Sequence, residues 1–108
     1  MLPPAIVQDL QCFLRVLHSR YGEDLVSVVL FGSWARRDAH PDSDIDLLVV
    51  LDRVDSVWDE LRRMEPIVWR HSHTNDAVVS VSPVGDEDFR VGRWPVLRRA
   101  QVEGRQVA

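Results

Sequence analysis

The sequence predicts an α/β domain, and three observations carry that reading. Two apolar runs, Leu25 to Phe31 and Ile45 to Leu51, have the Val, Ile and Leu content of strands buried on both faces. Between them, Ser33 to Ala39 reads as a short helix, and His40-Pro41-Asp42-Ser43 as a turn or loop. Ahead of both, Pro4 to Tyr21 carries apolar residues at helical spacing. Strand, helix, strand is the rhythm of an α/β fold.

In the first helix, Ile6, Leu10, Phe13, Leu14, Leu17 and Tyr21 form one stripe, the pattern of core packing. Pro3 and Pro4 suit its first turn, and Gly22 its end. Cys12 lies off the stripe. A second long helix is expected from Ser56 to about Arg70, with Ser56 as N-cap and Asp59 three residues on. Val57, Trp58, Leu61, Met64 and Val68 supply its apolar face, and Pro66 is expected to kink or divide it. Arg70 to Asp76 is polar and reads as loop, including His71 and His73, which are too poorly spaced to signal a metal site. Ala77 to Val84 reads as a third strand, with Ser80 and Ser82 on one face and Val79 and Val81 on the other. Asp86-Glu87-Asp88 opens another helix, and Pro95 to Glu103 forms the last one, closed by Gly104. The result is a small mixed sheet of three strands with helices packed on it.

Composition bounds the function. A chain of 108 residues makes one domain, 1–108, with a single core. No apolar run approaches the ~20 residues needed to span a membrane. The lone cysteine leaves no intrachain disulfide, and cytoplasm is the default location. The net charge of −4 argues against a general nucleic-acid surface. All thirteen basic residues are arginine. Without lysine there is no P-loop lysine, no kinase-type lysine and no lysyl–nucleotide intermediate. Any nucleotide must be handled by metal, backbone amides and arginine.

The chemistry concentrates in Phe31-Gly32-Ser33-Trp34-Ala35-Arg36-Arg37-Asp38 and in Asp44-Ile45-Asp46. Gly32 permits a tight turn and close approach of a ligand. Ser33 begins a helical segment and offers a hydroxyl and N–H groups to phosphate oxygens. Asp44 and Asp46 are two apart, so on a strand they share a face. Two carboxylates beside a phosphate-binding turn make an oxygen-rich site for Mg²⁺ carrying a triphosphate. Arg36 and Arg37 follow the turn, and Arg36 is the better candidate for the phosphates. Trp34 is read as a stacking surface, a partner contact or a core residue.

Gly32-Ser33 followed by Asp44-x-Asp46, with the flanking strands, resembles the signature of the polymerase-β-like nucleotidyltransferases. The Gly-Ser-x-Ala-Arg form and the small size are similar to their minimal members, over about Leu10 to Gly104. The resemblance implies the nucleotidyltransferase fold, with Mg²⁺ (or Mn²⁺) held by Asp44 and Asp46, and nucleotide contacts from Gly32, Ser33 and Arg36. It implies transfer of a nucleoside monophosphate, most simply AMP from ATP, to a hydroxyl. In toxin–antitoxin members the acceptor lies on a helical HEPN partner, so such a partner is expected here.

Two departures from the family pattern matter. Arg37 stands where the family often has Gly, and Ser80 stands where a third carboxylate is typical. Asp76 is the nearest upstream acid and the candidate catalytic base or ligand, but it lies about 13 Å away along an extended strand. The alternative is that Asp76 is only a turn residue and the protein a catalytically silent nucleotide- or partner-binding antitoxin. A small-molecule nucleotidyltransferase is a further alternative. Association as a dimer or hetero-complex is expected, through Trp94, Val96 and Leu97.

Overall fold

The computed structural model describes residues 4–36, 44–74 and 79–108. In chain order, α1 (Pro4–Tyr21) leads through a 3₁₀ turn (Gly22–Asp24) into β1 (Leu25–Phe31). Then come α2 (Ser33–Arg36), β2 (Ile45–Leu51), α3 (Val57–Thr74), β3 (Val79–Gly85), α4 (Asp86–Val91), α5 (Pro95–Glu103) and β4 (Arg105–Gln106). The sheet has the order β3-β2-β1-β4. β2 runs parallel to β3 and antiparallel to β1, and β4 is antiparallel to β1. Among the described residues the sheet thus has four strands, where the sequence predicted three. The fourth is two polar residues long and has no apolar periodicity to announce it; it exists because Arg105 and Gln106 can pair with Leu30 and Val29 on an open edge.

Alternation along the central strands divides the core. Ile45, Leu47, Val49 and Leu51 of β2, with Val28 and Leu30 of β1, face α1 and α3. Leu10, Phe13, Leu17 and Tyr21 of α1 meet them, joined by Met64 and Ile67 of α3. The predicted α1 stripe is therefore the core face; the side chain of Ile6 lies outside the described residues, and Cys12 is exposed. On the other face, Leu48 and Val50 of β2 and Val29 of β1 pack against Leu97 and Ala100 of α5. A hydrogen bond from the Tyr21 hydroxyl to Glu60 Oε2, 2.9 Å, ties α1 to α3.

Helix α3 departs from expectation in three ways. Its start is as predicted, with the Asp59 N–H donating to Ser56 Oγ at 3.3 Å. It is not divided at Pro66, and it continues through Arg70 to Thr74, where a loop was expected. Met64 and Ile67, buried on either side of the proline, anchor both halves to the sheet, and tertiary packing outweighs the lost donor. Val57 and Trp58 are 49% and 75% exposed, so the first turn of α3 adds little to the core that the sequence assigned it to.

After α5 the chain reverses within one residue. The Gly104 N–H donates to Ala100 O at 2.8 Å, and a Cβ at Gly104 would overlap that carbonyl and come 2.6 Å from Val29 Cγ1. Only glycine lets β4 lie this close to β1. Among the described residues, no helix is long and apolar enough to cross a membrane. Leu97 is 2% exposed, which removes it from the predicted association surface. Leu97→Ala should destabilise the fold by about 2–4 kcal/mol, whereas Val102→Ala, at a position 86% exposed, should be nearly neutral. Urea unfolding of both variants checks this; equal midpoints would mean that α5 does not cover the sheet.

Candidate active site at the Gly-Ser turn

The site forms where the apolar strands end. Phe31, the last residue of β1, pairs with Asp46, the second of β2, and Asp46 in turn pairs with Ser80 of β3. One row across the sheet therefore carries Phe31, Asp46 and Ser80. Asp46 alternates onto the α5 face with Leu48 and Val50, but it sits at the strand entrance and stays partly open to solvent.

Gly32 adopts φ 76°, a left-handed conformation that turns β1 into α2. Its carbonyl accepts from the N–H groups of Ala35 and Arg36, both at 3.1 Å. Ala35 is buried, which pins this single helical turn to the core. A Cβ at Gly32 would fall on Asp46 Oδ2 and lie 3.2 Å from its carboxyl carbon. The Gly-Ser turn and the second aspartate are thus one piece of structure. Asp44, just ahead of β2, is exposed. Trp34 packs partly buried against the α1/α3 core cluster, which favours its core reading over a stacking surface.

Arg36 is shared. It lowers the cost of charge on Asp46, and its guanidinium lies 3.8 Å from Glu103 of α5. Between α2 and α5 runs a cleft of about 140 Å³, with Phe31, Gly32 and Arg36 on one side and Val96, Arg99 and Glu103 on the other. Sequence reasoning did not identify α5 as a wall of the site. The available signal was the four-residue spacing of Arg99 and Glu103, which puts both on one side of the helix.

Asp76 lies outside the described residues, as do Arg37, Asp38 and the segment from His40 to Ser43 that the sequence predicted as a turn or loop. The backbone at His71 and His73 is helical rather than loop. Among the described residues, no three His, Cys, Asp or Glu side chains converge as a ready-made metal cage. Asp44 and Asp46 nevertheless fit a divalent cation of the Mg²⁺ type. They supply hard oxygen donors, and such an ion keeps several water or phosphate ligands instead of a protein cage.

Electrostatics points the same way. Burial first, then the like charge of Asp44, pushes the Asp46 carboxyl above its ordinary value of 3.8, and Arg36 pulls it back in part. A carboxyl raised in this way opposes folding once ionised. The cost is absent below the ordinary value, where folded and unfolded chains both hold the proton, and complete above the raised value. Asp46→Asn should therefore raise Tm at neutral pH without divalent cations, and the gain should vanish as pH falls towards about 3. Thermal melts across that range test this; identical Tm values at neutral pH would show that the Asp46 charge carries no cost.

Comparison with known proteins agrees with the geometry. A segment of 38 residues is 50% identical to "Putative protein adenylyltransferase MJ1305" of Methanocaldococcus jannaschii, covering 35% of this chain and 26% of that one. A segment of 40 residues is 45% identical to "Putative protein adenylyltransferase MJ0604" of the same organism, covering 37% and 40%. These matches span well under half of either relative. Among solved structures, a "putative nucleotidyltransferase" from Sulfolobus solfataricus superposes with TM-score 0.60 at 23% identity, covering 78% of this chain and 70% of that one. A structure titled "toxin-antitoxin with AMP-PNP" superposes with TM-score 0.61 at 22% identity, covering 91% and 72%. These two establish the fold. The sequence model of the nucleotidyltransferase domain matches residues 10–105, nearly the whole chain, and the chain belongs to that family.

Proposed function

We propose that this protein transfers AMP from ATP onto a hydroxyl of a partner protein, in the manner of a minimal nucleotidyltransferase paired with a helical HEPN-type protein. The observation that carries the reading is the contact of Gly32 with the Asp46 carboxylate, beside Asp44. It sets a phosphate-accepting turn against a cation-binding pair. The names of the curated relatives support protein adenylylation, and the solved toxin–antitoxin complex with AMP-PNP supports a nucleotide and a partner.

Asp44 and Asp46 would hold Mg²⁺ or Mn²⁺, which neutralises phosphate charge and lowers the pKa of an attacking hydroxyl. The turn at Gly32 and Ser33 offers its backbone to the phosphates, and Arg36 offers a planar guanidinium. In the overall reaction the acceptor oxygen bonds to the α-phosphorus and releases its proton. The bond from that phosphorus to the bridging oxygen breaks, and pyrophosphate leaves with the electron pair. Trp58 and Trp94, 75% and 48% exposed, offer apolar surface to a partner.

One observation favours a second reading, a silent antitoxin that works by occlusion. The residue in register with Asp46 on β3 is Ser80, where the family typically has a carboxylate. The two readings separate in one assay, with α-labelled ATP, Mg²⁺ or Mn²⁺ and the verified partner. Transfer of label is expected from wild type, with a loss of about 100-fold or more in Asp46→Asn. Ser80→Asp, which places an acid beside Asp46, should speed transfer. No label from wild type, with label restored by Ser80→Asp, would establish the silent reading instead.

A further inference from the structure

We propose that the cleft between α2 and α5 receives the phosphate tail of the nucleotide, with Arg99 as a cationic contact and the Arg36–Glu103 pair as a latch that the tail opens. The proposal rests on the nucleotidyl-transfer reading and adds a wall of the site, α5, that the Gly-Ser and Asp-x-Asp motifs do not include.

Size is the first argument. At about 140 Å³ the cleft is well below the volume of a pocket that encloses a whole drug-sized ligand, so it takes a part of one. Position is the second. Gly32 lines the cleft and also lies against the Asp46 carboxylate, so the cleft and the second aspartate share Gly32 as a neighbour.

Charge is the third. The cleft presents two guanidiniums, Arg36 and Arg99, against one carboxylate, Glu103, in a chain whose net charge is −4. A ligand that satisfies both ends must be anionic at the arginines and carry a cation at Asp44 and Asp46. A polyphosphate with its bound metal does both.

The latch follows from the geometry of the ion pair. Arg36 and Glu103 are 3.8 Å apart with side chains 43% and 37% exposed, which makes the pair weak and readily exchanged. A polyphosphate competes for that guanidinium because it carries more negative charge than one carboxylate and can also accept two parallel hydrogen bonds. Arg99 makes no ion pair among the described residues, and Leu97 and Ala100, both buried, hold its helix against the sheet. A phosphate entering the cleft therefore meets Arg99 on a fixed wall and takes Arg36 from Glu103.

Calorimetric titration of the intact protein tests this, with Mg·ATP and with inorganic triphosphate as the probe of the tail alone. Arg99→Ala should weaken both by roughly tenfold, with its thermal melt unchanged. Glu103→Gln should tighten both by about threefold, because the Glu103 charge no longer competes with phosphate for Arg36. Mg·ATP affinity unchanged to within about twofold in Arg99→Ala would overturn the proposal. If binding then still depends on Asp46, the transfer reading stands without it. A loss confined to ATP would place Arg99 on the base or ribose and would also overturn it. Wild type that binds neither ligand would overturn both readings together.

Discussion

The contact on which the site depends is a backbone without a side chain set against a carboxylate. Gly32 and Asp46 come from adjacent antiparallel strands, and any Cβ between them would occupy the space of Asp46 Oδ2. The constraint reaches outward in both directions. It fixes where β1 must end, since the chain has to turn at a positive φ just past Phe31. It also fixes the register of β2, since Asp46 has to lie opposite Phe31 and nowhere else. A one-residue slip would carry Asp46 into the face held by Ile45, Leu47 and Val49 and bury its charge beneath α1 and α3.

The rest of the fold keeps that register from slipping. β2 is central, paired along its length with β1 and β3, and every residue from Leu47 to Leu51 is buried. Layers on both faces read the alternation, α1 and α3 on one side and α5 on the other. A polar site can therefore sit at the entrance of an apolar strand. The strand's other residues supply the burial, and Asp46 bears only the partial desolvation that raises its carboxyl.

What was legible in the sequence is what periodicity and turn chemistry encode. The bounds of α1, β1, β2 and α5 follow from apolar spacing, from Pro95 and from the glycines that end the helices. The link between Gly32-Ser33 and Asp44-x-Asp46 follows from spacing and type. What was hidden depends on tertiary context. β4 has no pattern of its own and is a strand only because β1 has an open edge. Continuation of α3 past Pro66 depends on Met64 and Ile67 finding the sheet. Val57 and Trp58 fit the helical apolar stripe yet stand exposed, and the stripe cannot reveal which of its turns finds a partner. The resemblance put Ser80 where the third carboxylate is typical, and the parallel pairing of β2 with β3 sets Ser80 in register with Asp46.

The absence of lysine gives the site its particular electrostatics. A lysine near Asp46 would act as a compact point charge on a flexible stem. Arg36 instead presents a planar fork with several donors, and one residue can be close to both a carboxylate on β2 and a carboxylate on α5. Asp46 remains raised despite Arg36, because burial and Asp44 outweigh the single opposing charge. The site is thus left short of positive charge at its aspartates and holds guanidiniums at its other rim. That polarity, cation-poor at one end and arginine-rich at the other, follows from three short segments that the sheet and α5 bring together. It is the polarity that the proposed ligand, divided into a metal and an anion, would match.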